Sequence, residues 1–274
     1  MKTILVATDL SERSDRAVRR ALRLAAQFGA DCHVLHIVDD SLPTDMAEPL
    51  RAEAELRLRR FVTHNQGDVD ARVHVLIGDP PSVVPAEARA LDADLVVVGL
   101  HRPRAILDRL RETTMERIVR LLNRPVLLVR DTADHDYGRA LVPVSFSPAC
   151  ASALRAANTL APQGEITVFH AVYLPFAGLT REHPGGPMDR ELTREAKAVC
   201  EHWRDTEKLT GPEGRVSFTS GSLSEVFQRK LAEVQPDLVA LGAHTRGPLA
   251  VYTLGSFAAD LLRDPPTDLL LAHP

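Results

Sequence analysis

Ala93–His101 reads ADLVVVGLH, and Pro236–His244 reads PDLVALGAH. The second phrase begins 143 residues after the first, with Asp, Leu, Val, Gly and His at matching places. Each is a short apolar run closed by glycine, the pattern of a strand buried on both faces of a parallel sheet. A phrase written twice at this distance predicts a duplicated domain.

The flanking segments repeat as well. Ile4–Asp9 (ILVATD) opens the first copy and Ala140–Ser145 (ALVPVS) the second. Helical patterns follow at Ser14–Phe28 and Pro148–Leu160. Second strands end at Leu35–Val38 (LHIV) and Phe169–Val172 (FHAV). The register between copies shifts in the middle of copy two. Pro175–Pro187, broken by Pro and Gly, reads there as a surface loop. Charged helices over Ala47–Phe61 and Asp189–Lys208 come next; Glu53/Arg57 and Glu55/Arg59, four apart, mark a solvated face. Strands Arg72–Gly78 and Arg215–Gly221, helices Ser82–Ala90 and Ser222–Val234, the repeated phrase, a loop, a helix and a last strand (Pro125–Val129, Asp268–Ala272) complete each copy. Strands alternating with helices predict an α/β fold with a parallel sheet and right-handed crossovers. The polar run Asp131–Gly138 reads as a linker, giving domains over residues 1–133 and 138–274.

Formal net charge is −4, so no basic field invites nucleic acid. No apolar run approaches the ~20 residues of a membrane span. MKTILVATDLSER does not read as a signal peptide, which makes the cytoplasm the expected compartment. Cys32, Cys150 and Cys200 have neither metal-ligand nor disulfide spacing and read as small apolar residues.

ILVATDLSERS, LHIVD, the glycine after DLVVV and ERIVRLLNRPVLLV together resemble a universal stress protein (UspA-like) domain. Copy two resembles it through LVPVSFSPA, FHAV, DLVALGAH, LGSFAADLL and DLLLA. The resemblance covers the chain twice. It implies two tandem five-stranded, Rossmann-like domains of the adenine nucleotide alpha hydrolase type. It also implies a regulatory or protective role in stress, without catalysis. Single-domain relatives pair through their last strands, so the resemblance implies an intramolecular pseudo-dimer near Val126–Val129 and Leu269–Leu271, with a homodimer also open.

Nucleotide-binding members carry the loop G-x2-G-x9-G-[ST]. Glycines admit backbone N–H groups to phosphate oxygens, and the helix opened by Gly-Ser favours an anion at its N-terminus. Copy one has Gly99, Arg102, Glu112 and Thr113 at these places, followed by Thr114, and keeps the strand-one aspartate, Asp9, beside Thr8, with Val38 ending strand two. Glu112 would repel phosphate; Arg102, Arg104, Arg109 and Arg111 could hold an anion or be solvated. Copy two has Gly242, His244, Thr245, Gly255, Ser256 and Phe257, but Ser145 where the aspartate belongs, flanked by Val144, with Val172 ending strand two. The recurrent His36/His170 and His101/His244 read as structural hydrogen-bonding groups. No metal site is predicted; Mg2+ enters only if ATP binds. Three functions stay open on the sequence: an adenine-nucleotide (ATP) binder acting mainly through copy two, a scaffold or binder of another small anionic ligand, and, ranked last, a slow ATP hydrolase.

Overall fold

The computed structural model describes residues 1–100, 114–175, 183–209, 211, 215–243 and 256–274. Its two compact units are Met1–His135 with Thr245–Leu269, and Asp136–His244 with Leu270–Pro274.

In the first unit, β1 (Thr3–Thr8), β2 (Asp31–Val38), β3 (Ala71–Ile77), β4 (Leu95–Gly99) and β5 (Val126–Val129) lie in the order β3-β2-β1-β4-β5. The four ladders joining them are parallel. Ile4, Leu5, Val6 and Leu95–Val98 are buried, as the unbroken apolar runs require. The order reverses between β1 and β4, which opens a crevice at their carboxyl ends. The crossovers are α1 (Glu12–Phe28), α2 (Thr44–Asn65), α3 (Pro80–Ala90) and α4 (Thr114–Leu121).

Helix α1 begins two residues before the apolar pattern does, because the Ser11 side chain caps it by accepting from the Ser14 N–H. It ends at Gly29, whose φ of 60° is the left-handed cap that glycine adopts without a Cβ penalty. Helix α2 runs beyond Ala47–Phe61 at both ends, with Pro49 inside its second turn.

The second unit holds β6 (Arg139–Pro143), β7 (Glu165–Val172), β8 (Val216–Ser220) and β9 (Leu238–Gly242) in the order β9-β6-β7-β8, again parallel. The Ala243 N–H donates to Ala272 of β10 (Asp268–Ala272) at 2.8 Å. Its helices are α5 (Pro148–Leu160), α6 (Pro187–Thr206) and α7 (Leu223–Val234). Each copy therefore supplies five strands. Most of the loop read at Pro175–Pro187 falls outside the described residues. All three cysteines are free and buried, and burial pushes the Cys32 thiol up to about 12, where it is inert.

Helix α8 (Ser256–Arg263), although coded in copy two, belongs to the first unit. Two ion pairs hold this segment there. Arg263 Nη2 meets Glu116 Oε1 of α4 at 3.0 Å. Arg20 of α1, 1% exposed, meets Asp268, 0% exposed, at 3.4 Å. Both members of the second pair are further bonded. Arg20 donates to the carbonyls of His135 and Thr132 at 2.7 and 3.1 Å. Asp268 accepts from the Arg130 and Asp131 N–H groups at 2.8 and 2.9 Å. The segment read as a polar linker is thus pinned by α1. The duplication repeats neither partner, for the matching residues are Ala156 and Pro125. Truncating one member of such a pair leaves a buried charge uncompensated. Arg20→Met is expected to lower unfolding free energy by about 3–5 kcal/mol in chemical denaturation; a loss below about 1 kcal/mol would show that the pair is not structural.

Candidate functional site

At the carboxyl end of β1 the chain makes a tight turn. Thr8, buried, donates its hydroxyl to Ser14 Oγ at 2.8 Å and accepts from the Leu10 N–H. Ser14 Oγ lies 2.7 Å from Asp9 Oδ1, which also accepts from the Ser11 N–H at 3.0 Å. The exposed Asp9 carboxylate thus helps to cap α1. Leu10 adopts φ 61°, a left-handed conformation unusual for a branched residue. Arg57 of α2 holds that turn through the Leu10 carbonyl at 2.9 Å.

Copy two repeats the turn with different chemistry. Phe146 matches Leu10, with φ 62°. Ser145 replaces Asp9, and Cys150 replaces Ser14. The Cys150 sulfur accepts from the Ser145 N–H and the Ser147 hydroxyl, both at 3.3 Å, and lies 3.5 Å from Ser145 Oγ. The carboxylate–hydroxyl pair of copy one has become a neutral hydroxyl–thiol pair. Above the turn, Phe146 packs on the ring of His170 with centroids 4.4 Å apart, and Trp203 and Phe218 close the cluster. The Trp203 indole N–H donates to the Ser147 carbonyl at 3.0 Å.

His36 and His170 make the structural hydrogen bonds expected of them. Each donates Nδ1–H to a carbonyl at the carboxyl end of the copy's first strand, Thr8 at 2.9 Å and Val144, just past β6, at 2.8 Å. A carbonyl only accepts, so the proton sits on that nitrogen. Val38 and Val172, both buried, end the second strands alike, accepting from Gly78 and Gly221 N–H groups.

The strand-four glycines have a packing reason of their own. A Cβ on Gly99 would lie 2.8 Å from Ser14 Cα. One on Gly242 would lie 2.6 Å from Ala149 C and Cys150 N. In both copies the first helix after strand one passes too close for any side chain, so these glycines do not by themselves indicate phosphate.

The remaining candidates divide. Thr114 opens α4, whose first turn carries the buried Glu116. Ser256 opens α8, which has no acidic residue in its first turn, and the half-buried Phe257 follows. Thr8, Asp9, Val38, Gly99, Thr114, Ser256 and Phe257 belong to the first compact unit; Val144, Ser145, Val172 and Gly242 belong to the second. His101, Arg102, Arg104, Arg109, Arg111, Glu112, Thr113, His244, Thr245 and Gly255 lie outside the described residues. Among the described residues no group of three or more His, Cys, Asp or Glu side chains forms a metal site. Nor is any described helix long and apolar enough to cross a membrane.

A model of the universal stress protein family matches residues 1–130 and again 136–273. The chain belongs to that family. It is 35% identical over 142 residues to universal stress protein G of Salmonella typhimurium (strain LT2), covering 47% of this chain and 99% of that one. Universal stress protein A homolog 1 of Coxiella burnetii is 30% identical over 139 residues, covering 47% and 95%. The crystal structure of a universal stress protein from Archaeoglobus fulgidus matches the fold with a TM-score of 0.72 at 19% identity, over 99% of this chain and 98% of that one. Tandem universal stress protein domains of Rossmann-like α/β architecture are thus the organisation of this protein.

Sequence reasoning missed the Ser14 and Cys150 hubs and the Phe146–His170–Phe218–Trp203 cluster. The cluster joins rings distant in sequence and meets only through the fold. Gly242→Ala and Gly99→Ala are each expected to destabilise by about 1–3 kcal/mol through overpacking, Gly242→Ala the more. Chemical denaturation measures both, and unchanged midpoints would contradict the packing explanation.

Proposed function

We propose that this universal stress protein is a cytoplasmic regulatory binder of adenine nucleotide, ATP first, acting through copy two. The role is binding, with no catalytic step, and Mg2+ would enter only with the ATP phosphates.

One contrast carries the proposal. Among the described residues α8 begins at Ser256 with no carboxylate in the turn that follows, whereas α4, described from Thr114, carries Glu116 there, paired with Arg263. Helix N-termini attract anions, and a carboxylate in the first turn already uses that field. The exchange of Asp9 for Ser145 works in the same direction, for copy two has one anion fewer at the turn after strand one. In copy one Asp9 is already committed to Ser11 and Ser14. The motif residues Gly242, Gly255 and Ser256 complete the argument from sequence.

Calorimetry tests it. The wild type should bind ATP at up to millimolar concentration. Gly255→Glu, which imitates Glu112 of copy one, should weaken binding at least tenfold, a loss of about 1.4 kcal/mol. Absence of heat from the wild type at millimolar ATP would overturn the proposal and favour a scaffold without nucleotide.

A further inference from the structure

A second feature, independent of nucleotide binding, lies on the outer strands of copy one. The β2–β3 register pairs His33 with Arg72 and Leu35 with His74, so the two histidines are diagonal neighbours on one face. His33 is buried at 5% exposure and His74 is half-buried. His33 Nδ1 and His74 Nε2 are 2.9 Å apart. Ring centroids 5.1 Å apart and planes within 26° mean that the rings meet nitrogen to nitrogen rather than face to face. One ring nitrogen donates and the other accepts.

A proton fits this gap and a metal ion does not. A metal in line, about 2.0–2.1 Å from each nitrogen, would need about 4 Å between them. The bridge survives with both rings neutral or with one charged. A second proton puts two N–H groups nose to nose and ends it.

The charged groups with the largest influence on His33 lie on or beside β2 and β3. Asp31 of β2 and Asp70, before β3, attract a proton to His33; Arg72 of β3 and His74 repel it. Arg72 is itself tied to Asp70 at 2.7 Å and lies 3.9 Å from Asp31. From β1 the register partner of His33 is the apolar Leu5. Burial is the largest influence on His33, followed by His74 and Arg72, and the net effect holds its protonation below the ordinary histidine range. The fold does not require histidine here, because copy two has Thr167 and Ser217 at the matching places, with Ser217 donating to the Val168 carbonyl.

Strand β3 ends the strand order, with β2 as its neighbour. We propose that His33 and His74 form an acid-sensing latch, in which a second proton breaks their shared hydrogen bond and releases edge strand β3 from β2. The release reaches the mouth of the copy, since the Gly78 N–H just past β3 holds the Val38 carbonyl at the end of β2. The sign follows from linkage. A histidine whose folded-state pKa lies below its unfolded value leaves the released state binding more protons. The latch is therefore intact above about pH 6.5 and weakens as pH falls toward the folded-state value.

Hydrogen exchange of the β3 amides at pH 7.5 and 5.5, corrected for intrinsic exchange, tests the latch on the full chain. Wild-type β3 should lose at least about threefold of its protection on acidification, because the released state binds more protons. The double variant His33→Thr/His74→Ser, which carries the copy-two residues, should lose less than about twofold over the same range. His33→Thr alone, which removes the buried imidazole, should behave likewise, and serves if the double variant does not fold. Equal acid loss in wild type and variant, or a flat wild-type profile, would overturn the latch.

Discussion

The close passage of the first helix over the end of the fourth strand is the constraint on which each copy depends. Ser14 lies over Gly99, and Ala149 and Cys150 lie over Gly242, with no room for a Cβ. This contact seats the helix N-terminus beside the switch in strand order, where ligands of open α/β sheets collect. The left-handed turn at Leu10 and Phe146 and the histidine bonds to the strand-one carbonyls make the same junction in both copies. The architecture was duplicated with this junction intact.

On it the two copies have exchanged chemistry in pairs. Asp9 with Ser14 became Ser145 with Cys150, so a charged cap became a neutral one. The difference at Asp9 and Ser145 is therefore matched by a second difference at Ser14 and Cys150 in the same turn. Away from the junction the copies differ in isolated features, such as the Arg20–Asp268 pair and the His33–His74 dyad, that the repeat does not contain twice.

Much of the fold was legible because its signals are local. Apolar runs such as Leu95–Gly99, the capping serines and the terminal glycines each act within a few residues, and the duplication displays them twice. What was not legible depends on contacts distant in sequence. Nothing near Arg20 announces Asp268, and nothing in Asp131–Gly138 announces that Arg20 will hold its carbonyls. The membership of α8 in the first unit is hidden for the same reason. Gly99 and Gly242 fit the phosphate-loop spacing, yet the helix above each already requires glycine, a fact that only the packing reveals. His33 and His74 are 41 residues apart and meet only through the β2–β3 register.

The central claim is that the neutral copy, rather than the one that kept its aspartate, takes the nucleotide. Backbone amide chemical shifts recorded during titration with ATP test it most directly, because they report each copy separately. The account predicts shifts at Val144, Ser145 and Val172 while Thr8, Asp9 and Val38 stay still. Shifts centred on Thr8, Asp9 and Val38, or none in either copy, would contradict it.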